Sequence, residues 1–330
     1  MIGRLLLILI WVPIAAGYTN PSGVQPGDQP VELIPNEGDS SVSVRIGGQA
    51  FTAYYFGPSA AKPYFFPLRS SHGTVVTRGY PITSVIAGED RDEPHQRPMY
   101  FAHGAINGFD FWGEAAFPQW SDHAASKFGR TVFRRIDEAQ GGDSGTLQAT
   151  FDLVAPTGVV AEETQRYGFT GNDRSRIIDC EFRLLATHGE IVLGDTKEGT
   201  FAIRVVKALD SPPGHMVNAA GATGEKGIWG KRANWVDYYG RVAGEEVGIA
   251  IFDHPQNLRA PTYWHARAYG LLAANPFGIT QFTGDRRQDG TYVIPAGQSL
   301  VLRYRVLIHQ GDPVRAGVAE AYRQFALEKR

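Results

Sequence analysis

The sequence predicts an all-β protein: one large antiparallel β-sandwich followed by a single C-terminal helix. Glycine contributes 39 and proline 20 of the 330 residues, which is more than an average chain uses, and these turn-forming residues separate short apolar runs. Apolar and polar residues alternate within many of those runs, as they do in strands that bury one face. Strand patterns do not alternate with helix patterns, so the sequence favours antiparallel over parallel sheets.

The N-terminus has the pattern of a secretory signal. Arg4 is the only charged residue among the first 27, and an apolar run from Leu5 to Ile14 follows it and ends in Ala15-Ala16-Gly17. A positive start, a short apolar run and small residues near a cleavage point are typical of signal peptides. We therefore expect residues 1–17 to be removed; the alternative is an uncleaved N-terminal anchor.

The remaining chain is expected to be exported, to the periplasm or the extracellular space, and to lack a membrane span. Its other apolar runs are interrupted by charges, whereas a spanning helix needs about 20 consecutive apolar residues. Residues 18–41 are rich in proline, glycine and polar residues at their start and are predicted to form a leader. Residues 42–330 contain no linker and no repeat, so they are predicted to form one β-sandwich domain.

The first predicted element is a hairpin that turns at Gly47-Gly48. Its two arms alternate apolar with polar residues, and the apolar positions are Val42, Val44 and Ile46, then Phe51, Ala53 and Tyr55.

The single cysteine lies in a later strand. Cys180 alternates with charged residues in the same phase as Ile178 and Phe182, so it is expected to be a buried core residue. One cysteine also excludes an intramolecular disulfide framework and a cysteine-rich zinc site.

The last strand and the helix close the chain. Apolar residues alternate from Leu300 to Ile308, with Arg303 and Arg305 on the opposite face. Asp312 followed by Pro313 has the pattern of a helix N-terminus, which predicts a helix from Val314 to Lys329.

Three clusters of polar and aromatic residues lie between glycines and prolines and are candidates for function, since loops on a β scaffold commonly carry the site. The first cluster lies within the segment from Glu89 to Trp112. In it, His95 is a candidate proton carrier, and Arg97 is a candidate for binding an oxyanion or carboxylate. The alternative is a polar network that fixes a long loop. The other members of this cluster are His103, Asn107 and Asp110.

The second cluster combines aromatic rings with cations and a carboxylate, a composition that suits sugar recognition. Its members are Trp229, Lys231, Arg232, Trp235, Asp237 and Tyr239. Aromatic rings can cover the apolar face of a pyranose, and charged groups can bind its hydroxyls. Because side chains alternate along a strand, part of this cluster must point away from any site.

The third cluster lies in the segment from Asp253 to Gly278. His254 and His265 are separated by a proline-bounded loop, so the sequence allows them to face each other as an acid–base pair or as ligands of one metal. The alternative is one structural imidazole. The sequence predicts no metal site, because it has no His-x-x-x-His spacing, and it indicates no cofactor. Tyr263 and Asn275 are further candidates for binding substrate.

Seven blocks in order resemble a family of secreted bacterial proteins of unknown function, labelled methane oxygenase PmoA or PmoA-like. These blocks are Lys62-Pro63-Tyr64-Phe65, Val76-Thr77-Arg78, Asp195-Thr196-Lys197-Glu198-Gly199, Trp229-Gly230-Lys231-Arg232, Trp235-Val236-Asp237-Tyr238-Tyr239-Gly240, Pro261-Thr262-Tyr263-Trp264-His265 and Ala273-Ala274-Asn275-Pro276-Phe277-Gly278. The resemblance implies an exported β-rich domain without a settled reaction. A membrane methane oxygenase subunit needs several spans, so that activity is not expected here.

One block departs from this family. The resemblance implies histidines where this chain has Glu93 and Gln96. A metal site built on three histidines of that block is therefore excluded, and the family chemistry either needs only His95 and Arg97 or is altered in this chain.

The leading hypothesis is a secreted carbohydrate-active enzyme, a hydrolase, lyase or epimerase that acts on a glycoside or oligosaccharide with histidine-based chemistry. The catalytic candidates are His265, His95, His254 and Asp237. The domain is similar in scale to the supersandwich of galactose-mutarotase-like proteins, which act on sugars. The alternatives are a non-catalytic sugar-binding or cell-surface module and a metal-dependent oxidoreductase. The formal charge of −2 gives no basic surface for nucleic acid. We expect the first and third clusters to meet over one face of the sandwich.

Overall fold

The computed structural model describes residues 28–83, 88–120 and 127–328. The predicted signal peptide lies outside these residues. Eighteen strands, numbered in chain order, and three α-helices are present in the described part of the chain.

Two antiparallel sheets of eight strands each form the domain. The first sheet contains, in spatial order, β1 (Val31–Asn36), β2 (Ser41–Ile46), β3 (Gln49–Tyr55), β4 (Tyr64–Phe65), β5 (Met99–His103), β11 (Gly199–Arg204), β16 (Leu271–Asn275) and β15 (Tyr263–Ala266). The second contains β12 (His215–Asn218), β13 (Trp235–Val242), β14 (Glu245–Asp253), β18 (Ser299–Gln310), β9 (Ser175–Leu185), β8 (Gly158–Gly171), β7 (Gly145–Ala155) and β6 (Arg130–Gln140).

The remaining elements are small. Strand β10 (Ile191–Leu193) pairs with β17 (Tyr292–Ile294) as a two-stranded sheet. The helices are α1 (Gly224–Ile228), α2 (Ile279–Thr283) and α3 (Val318–Leu327). No described helix is long and apolar enough to cross a membrane.

The main core lies between the two sheets. Phe101 on β5 stacks on Phe182 on β9, with ring centroids 4.1 Å apart. Cys180 is buried in the same core cluster as Ile178 and Phe182, which confirms the strand phase predicted from the sequence. The large antiparallel sandwich is therefore the architecture that the alternating runs indicated.

Each sheet also covers its outer face. Loops cover the outer face of the first sheet, where Tyr100, Trp112 and Leu271 form a second apolar cluster. Helix α3 covers the outer face of the second sheet, where Phe325 packs with Phe252.

Two boundaries differ from the sequence predictions. Strand β1 pairs with β2 along its whole length, so the domain begins inside the predicted leader. Helix α3 begins at Val318 rather than at Val314, because Gly317 has a left-handed φ of 69°. Asp312 accepts hydrogen bonds from the amides of Val314 and Arg315 and so stabilises a turn in front of the helix.

Candidate functional site

A row of paired residues crosses the outer face of the first sheet. Tyr100 on β5 is paired with Ala202 on β11, Ala202 with Ala273 on β16, and Ala273 with His265 on β15. Residues paired across neighbouring strands point to the same face. Tyr100 and His265 therefore share the outer face, separated by two methyl side chains. We call this surface and the loops over it the outer-face site.

His265 has one satisfied and one unsatisfied ring nitrogen. Its Nδ1 lies 3.0 Å from the carbonyl oxygen of Lys197 and can only donate to it, which places the lone pair on Nε2. Nε2 is buried and has no hydrogen-bond partner among the described residues. Burial, reinforced by the positive charges of Lys197 and Arg267, lowers the pKa of His265 to about 3. The residue is therefore a neutral imidazole with a free acceptor.

Aromatic rings surround His265. Phe282 on α2 stacks on Tyr263 with ring centroids 5.7 Å apart, and it contacts the edge of Trp229 at the same distance. The centroid of His265 lies 6.3 Å from that of Phe282. Trp229 and Tyr263, both predicted to bind substrate, are therefore close to His265.

His95 lies at the other side of the outer-face site. Its Nε2 is 3.5 Å from a carboxylate oxygen of Glu93, and its buried Nδ1 has no partner within the described chain. Burial first, and then the positive charge of Lys62, lowers the pKa of His95 to about 3. Both imidazoles are therefore neutral.

Two arginines hold the segment that carries Glu93 and His95. The Arg78 guanidinium donates to the backbone oxygens of Asp92, Glu93 and Gln96 and to the Asp92 carboxylate, at 2.8–3.0 Å. Arg204 on β11 donates to the Gln96 side-chain oxygen at 2.6 Å and to Asp92 at 3.2 Å. This Arg78–Arg204 clamp fixes residues 92–96 over the sheet.

The segments that carry the first and third sequence clusters touch above the sheet through Gln96 and Tyr269, although His254 of the third cluster lies elsewhere. Gln96 Nε2 donates to the Tyr269 hydroxyl at 3.4 Å. Tyr269 in turn packs under Arg204, whose guanidinium carbon is 4.4 Å from the ring centroid. The contact thus joins the loop that carries His95 to the loop that follows His265.

Lys197 and Glu198 directly precede β11, which lies between β5 and β15 in the first sheet. Their side chains form an ion pair, and the Lys197 carbonyl binds His265. Burial raises the pKa of Glu93 and the pKa of Tyr100. The negative charge of Glu198 is the second cause of both shifts.

Arg97 does not have a free guanidinium. It binds Glu114 with two hydrogen bonds, from Nε at 2.8 Å and from Nη2 at 2.5 Å. Lys62 donates to the same carboxylate at 3.1 Å. The prediction that Arg97 binds substrate therefore needs correction: it belongs to a buried ion triad that supports the loop beneath His95.

Three other candidates make structural contacts. The His103 side chain lies on the opposite face of β5 from Tyr100, with Nε2 2.8 Å from the carbonyl of Gly194. Asn107 binds the backbone of Glu190 and Val192. Asn275 binds the backbone of Thr196, Phe277 and Gly278. The side chains of Asn107 and Asn275 each fix a turn, and His103 points away from the outer-face site, with its buried Nδ1 unpartnered among the described residues.

Asp237 and Trp235 are not part of the outer-face site. They lie on β13 in the second sheet, and Trp235 packs in the cluster beneath α3. Asp237 accepts from His309 Nε2 at 2.9 Å. Gly248 makes this pair possible, because a Cβ there would lie 2.4 Å from the His309 ring. The second sequence cluster is divided because Trp229, Lys231 and Arg232 lie between α1 and β13, whereas Trp235 and Asp237 lie on β13 in the second sheet.

Lys231 and Arg232, two of the three remaining members of that cluster, are exposed, and Tyr239 on β13 is half-buried. Arg232 donates to the backbone oxygens of Arg259, Ala260 and Pro261 and covers the Tyr263 ring at 5.6 Å. The Lys231 carbonyl accepts a hydrogen bond from the Trp264 amide at 3.2 Å. Arg232 therefore borders the aromatic group around His265.

His254 does not face His265. Its Nε2 lies 3.3 Å from the Glu328 carbonyl and its ring packs edge-on against Phe325. These partners belong to the C-terminal segment that covers the second sheet. The predicted His254–His265 pair is therefore wrong, since the intervening loop directs the two rings to different sheets.

Sequence reasoning missed several residues of the site. Glu93 was noted only as a departure from a family pattern, and Tyr100 and Arg204 were not candidates. The alternation in β5 and β11 could have indicated that Tyr100 and Arg204 point away from the core. Their grouping depends on strand pairings between residues about a hundred positions apart, which no local pattern contains.

No group of three or more His, Cys, Asp or Glu side chains suited to hold a metal ion occurs in the described ranges.

A model of the family of unknown function DUF6807 matches residues 41–323. The chain belongs to this family. The description of DUF6807 names no activity, so the resemblance to PmoA-like proteins stays a prediction. No curated protein matches the chain.

Several solved structures are similar in fold. A galactose mutarotase-like protein from Clostridium acetobutylicum is 11% identical over 86% of this chain and 99% of its own, with a TM-score of 0.44. The galactosidase domain of an alpha-galactosidase-sucrose kinase is 11% identical over 85% of this chain and 42% of its own, with a TM-score of 0.42. A glycoside hydrolase family 97 enzyme from Pseudoalteromonas sp. is 10% identical over 85% of this chain and 34% of its own, with a TM-score of 0.34. This member of DUF6807 thus spans less than half the length of the last two chains.

Proposed function

We propose that this chain is a secreted carbohydrate-active enzyme that acts on a glycoside at the outer-face site. Secretion is proposed from the N-terminal pattern of Arg4 and the apolar run after it. The activity is proposed from the side chains that the first sheet and its loops bring together.

The observation that carries this proposal is the state of His265. Its neutral ring presents a buried, unpartnered Nε2 on the face that also carries Tyr100, whose hydroxyl has no partner in the described residues either. Buried polar atoms normally find hydrogen-bond partners, and a ligand with several hydroxyls supplies them. A neutral imidazole in this state can accept a hydrogen bond from such a hydroxyl and so orient the sugar.

The composition around His265 supports a sugar over other polar ligands. Trp229 and Tyr263 offer aromatic surface, and Lys197 and Arg267 offer charged donors near the same ring. A pyranose has one apolar face and a rim of hydroxyls, so it uses both kinds of group. Aromatic side chains with a few placed polar groups are typical of small-molecule sites.

One observation favours the alternative of a non-catalytic sugar-binding module. His95 and His265 are only 4% and 2% exposed, so a bound sugar would contact their partners before the rings themselves. Calorimetry with a panel of oligosaccharides, followed by product analysis, separates the two. Binding with new reducing ends or an altered sugar supports the enzyme, binding without chemical change supports the module, and no binding contradicts both.

A further inference from the structure

A small cavity lies beside the Arg78–Arg204 clamp. It contains about 180 Å³ of free space. A water molecule takes up about 30 Å³ in the liquid, so this space suits a single small ion or a few waters. The cations that line the cavity are Arg78, Arg204 and Lys207, and the carboxylates are Glu89, Asp90 and Asp210.

Each arginine of the clamp has one donor left without a partner. The Nη atoms of Arg78 and Arg204 bind residues 92–96. The Nε of each is buried and has no hydrogen-bond partner among the described residues, and both residues are only 2% exposed. Because residues 92–96 do not line the cavity, we infer that the two Nε edges face it. Buried donors of this kind normally have an acceptor.

The two guanidinium groups lie side by side with an excess of positive charge. Asp92 Oδ1 accepts from Arg78 Nη1 at 2.9 Å and from Arg204 Nη2 at 3.2 Å. Burial, and then the charge of Arg204, lowers the pKa of Arg78 to about 10, so Arg78 is still a cation at neutral pH. Within the described chain, Asp92 is the one carboxylate bonded to these two cations. One positive charge of the clamp is therefore left without a bonded anion.

The three carboxylates that line the cavity are bound to other groups. The Lys207 ammonium pairs with Asp90 at 2.5 Å and with Asp210 at 3.1 Å. Glu89 accepts from two backbone amides, at 2.7 and 2.9 Å. None of the three bonds to an Nε of the clamp. The acceptor for these two donors must therefore come from outside the described chain.

We propose that the cavity binds a small monovalent anion with the size and charge of chloride, held by the Nε–H groups of Arg78 and Arg204. Such an ion accepts a hydrogen bond from each donor and offsets the positive charge that Asp92 leaves unbalanced. Hydrogen bonds between ionised groups are stronger than those to a neutral acceptor such as water. The bound ion reduces the repulsion between the two guanidinium groups and so stabilises the segment that carries His95. This site does not depend on the proposed function.

The first test locates the ion. Crystals of the full chain are soaked in sodium bromide, and diffraction data are collected at the bromine absorption edge. We expect an anomalous difference peak within hydrogen-bonding distance of both Nε atoms. A map without a peak at that position overturns the proposal, because water then completes the two donors.

The second test measures binding in solution. The Tm of the full chain is compared in sodium chloride and in sodium gluconate at equal ionic strength, because a ligand that binds only the folded state raises Tm as its concentration rises. We expect chloride to raise the Tm of the wild type above its value in gluconate, and Arg204→Gln to lose this difference.

The matched control is Arg267→Gln. Arg267 lies over the ring of Tyr269 at 5.3 Å, as Arg204 does at 4.4 Å, but it does not line the cavity. The control should therefore keep the difference between the two salts. Equal Tm values of the wild type in chloride and gluconate overturn the proposal, and so does a chloride effect that persists in Arg204→Gln.

Discussion

Tyr100 and His265 lie in one cross-strand row of the first sheet, on the same face, with only Ala202 and Ala273 between them. The row explains why polar residues from distant parts of the sequence form one group. Tyr269, from the loop after His265, packs on the same apolar cluster and accepts a hydrogen bond from Gln96. The account of function depends on this arrangement.

Replacing His265 should remove activity and preserve the fold. His265→Gln loses the Nε2 acceptor and one hydrogen bond to the Lys197 carbonyl, a bond worth about 1 kcal/mol. We expect a loss of about 100-fold in glycoside turnover, because the sugar is no longer held in its reactive position, with a small change in Tm. The matched control is His254→Gln, which loses its contact with Phe325 and should lower Tm while turnover per folded molecule is kept. A lower Tm with retained turnover in His265→Gln, together with lost turnover and an unchanged Tm in His254→Gln, would assign the structural role to His265.

Arg78→Lys should loosen the segment that carries Glu93 and His95. Lysine keeps the charge but cannot donate simultaneously to the three carbonyls that the Arg78 guanidinium binds. We expect faster amide hydrogen exchange across residues 92–97 and a lower kcat. Arg69→Lys is the control, since Arg69 binds a single carbonyl, that of Gly73. Unchanged exchange in Arg78→Lys would show that the segment is fixed by other contacts.

Glu163 should make the fold less stable as pH rises. It lies in a buried network in which Gln165 donates to its carboxylate at 2.5 Å, and burial raises its pKa from 4.5 to about 8. A raised carboxyl pKa stabilises the fold below pH 4.5, and that stability is lost as pH rises to about 8. Chemical denaturation across this range should show a steeper decline for the wild type than for Glu163→Gln.

The control for that measurement is Glu162→Gln, which changes a neighbouring, more exposed side chain that pairs with Arg134. It should retain the wild-type slope of unfolding free energy against pH. If Glu163→Gln keeps the wild-type slope of unfolding free energy against pH, Glu163 does not bind its proton more tightly in the folded state than in the unfolded state.

Asp237→Asn should destabilise the protein and leave the activity of folded molecules intact. Asp237 forms a buried pair with His309, and breaking such a pair typically costs about 3–5 kcal/mol. Burial lowers the pKa of His309, but the Asp237 charge outweighs it, so that the pKa is raised. The stability from this pair is therefore present below the ordinary histidine pKa of 6.5 and is lost as pH rises through the raised value.

Chemical denaturation of Asp237→Asn at several pH values measures the loss of stability and its dependence on pH. The variant should be less stable than the wild type at low pH, and the difference should shrink as pH rises. A variant with wild-type stability and no turnover would restore Asp237 to the catalytic residues and place the active site on the second sheet.

The sequence was sufficient for the architecture because the sandwich depends on local alternation. The existence of the β2–β3 hairpin and the burial of Cys180 follow from the period of two along single strands, but the phase predicted for β3 is wrong at its end, where Tyr54 rather than Tyr55 lies in the main core. The start of α3 was misplaced because Asp312 and Pro313 also suit an isolated turn, and Gly317 interrupts the helical path.

The site was only partly predictable because it depends on pairing between distant strands. The sequence indicated His95, Trp229, Tyr263 and His265, whose side chains lie in or beside the outer-face site. It could not separate them from His254 and Asp237, which have similar neighbours in sequence and lie on the other sheet. Glu93 resembles an ordinary loop carboxylate in the sequence, and its contact with His95 is visible only in the fold.

Histidine ring NMR tests the central claim most directly, because it distinguishes the two sheets in one experiment. The probe is a set of methyl glycosides of the common hexoses and pentoses, each added to the nitrogen-labelled full chain up to saturation. We predict that a bound glycoside shifts the ring resonances of His95 and His265 and leaves those of His254 and His309 unchanged. Shifts confined to His254 and His309, or no shift with any glycoside, would contradict a sugar site on the outer face of the first sheet.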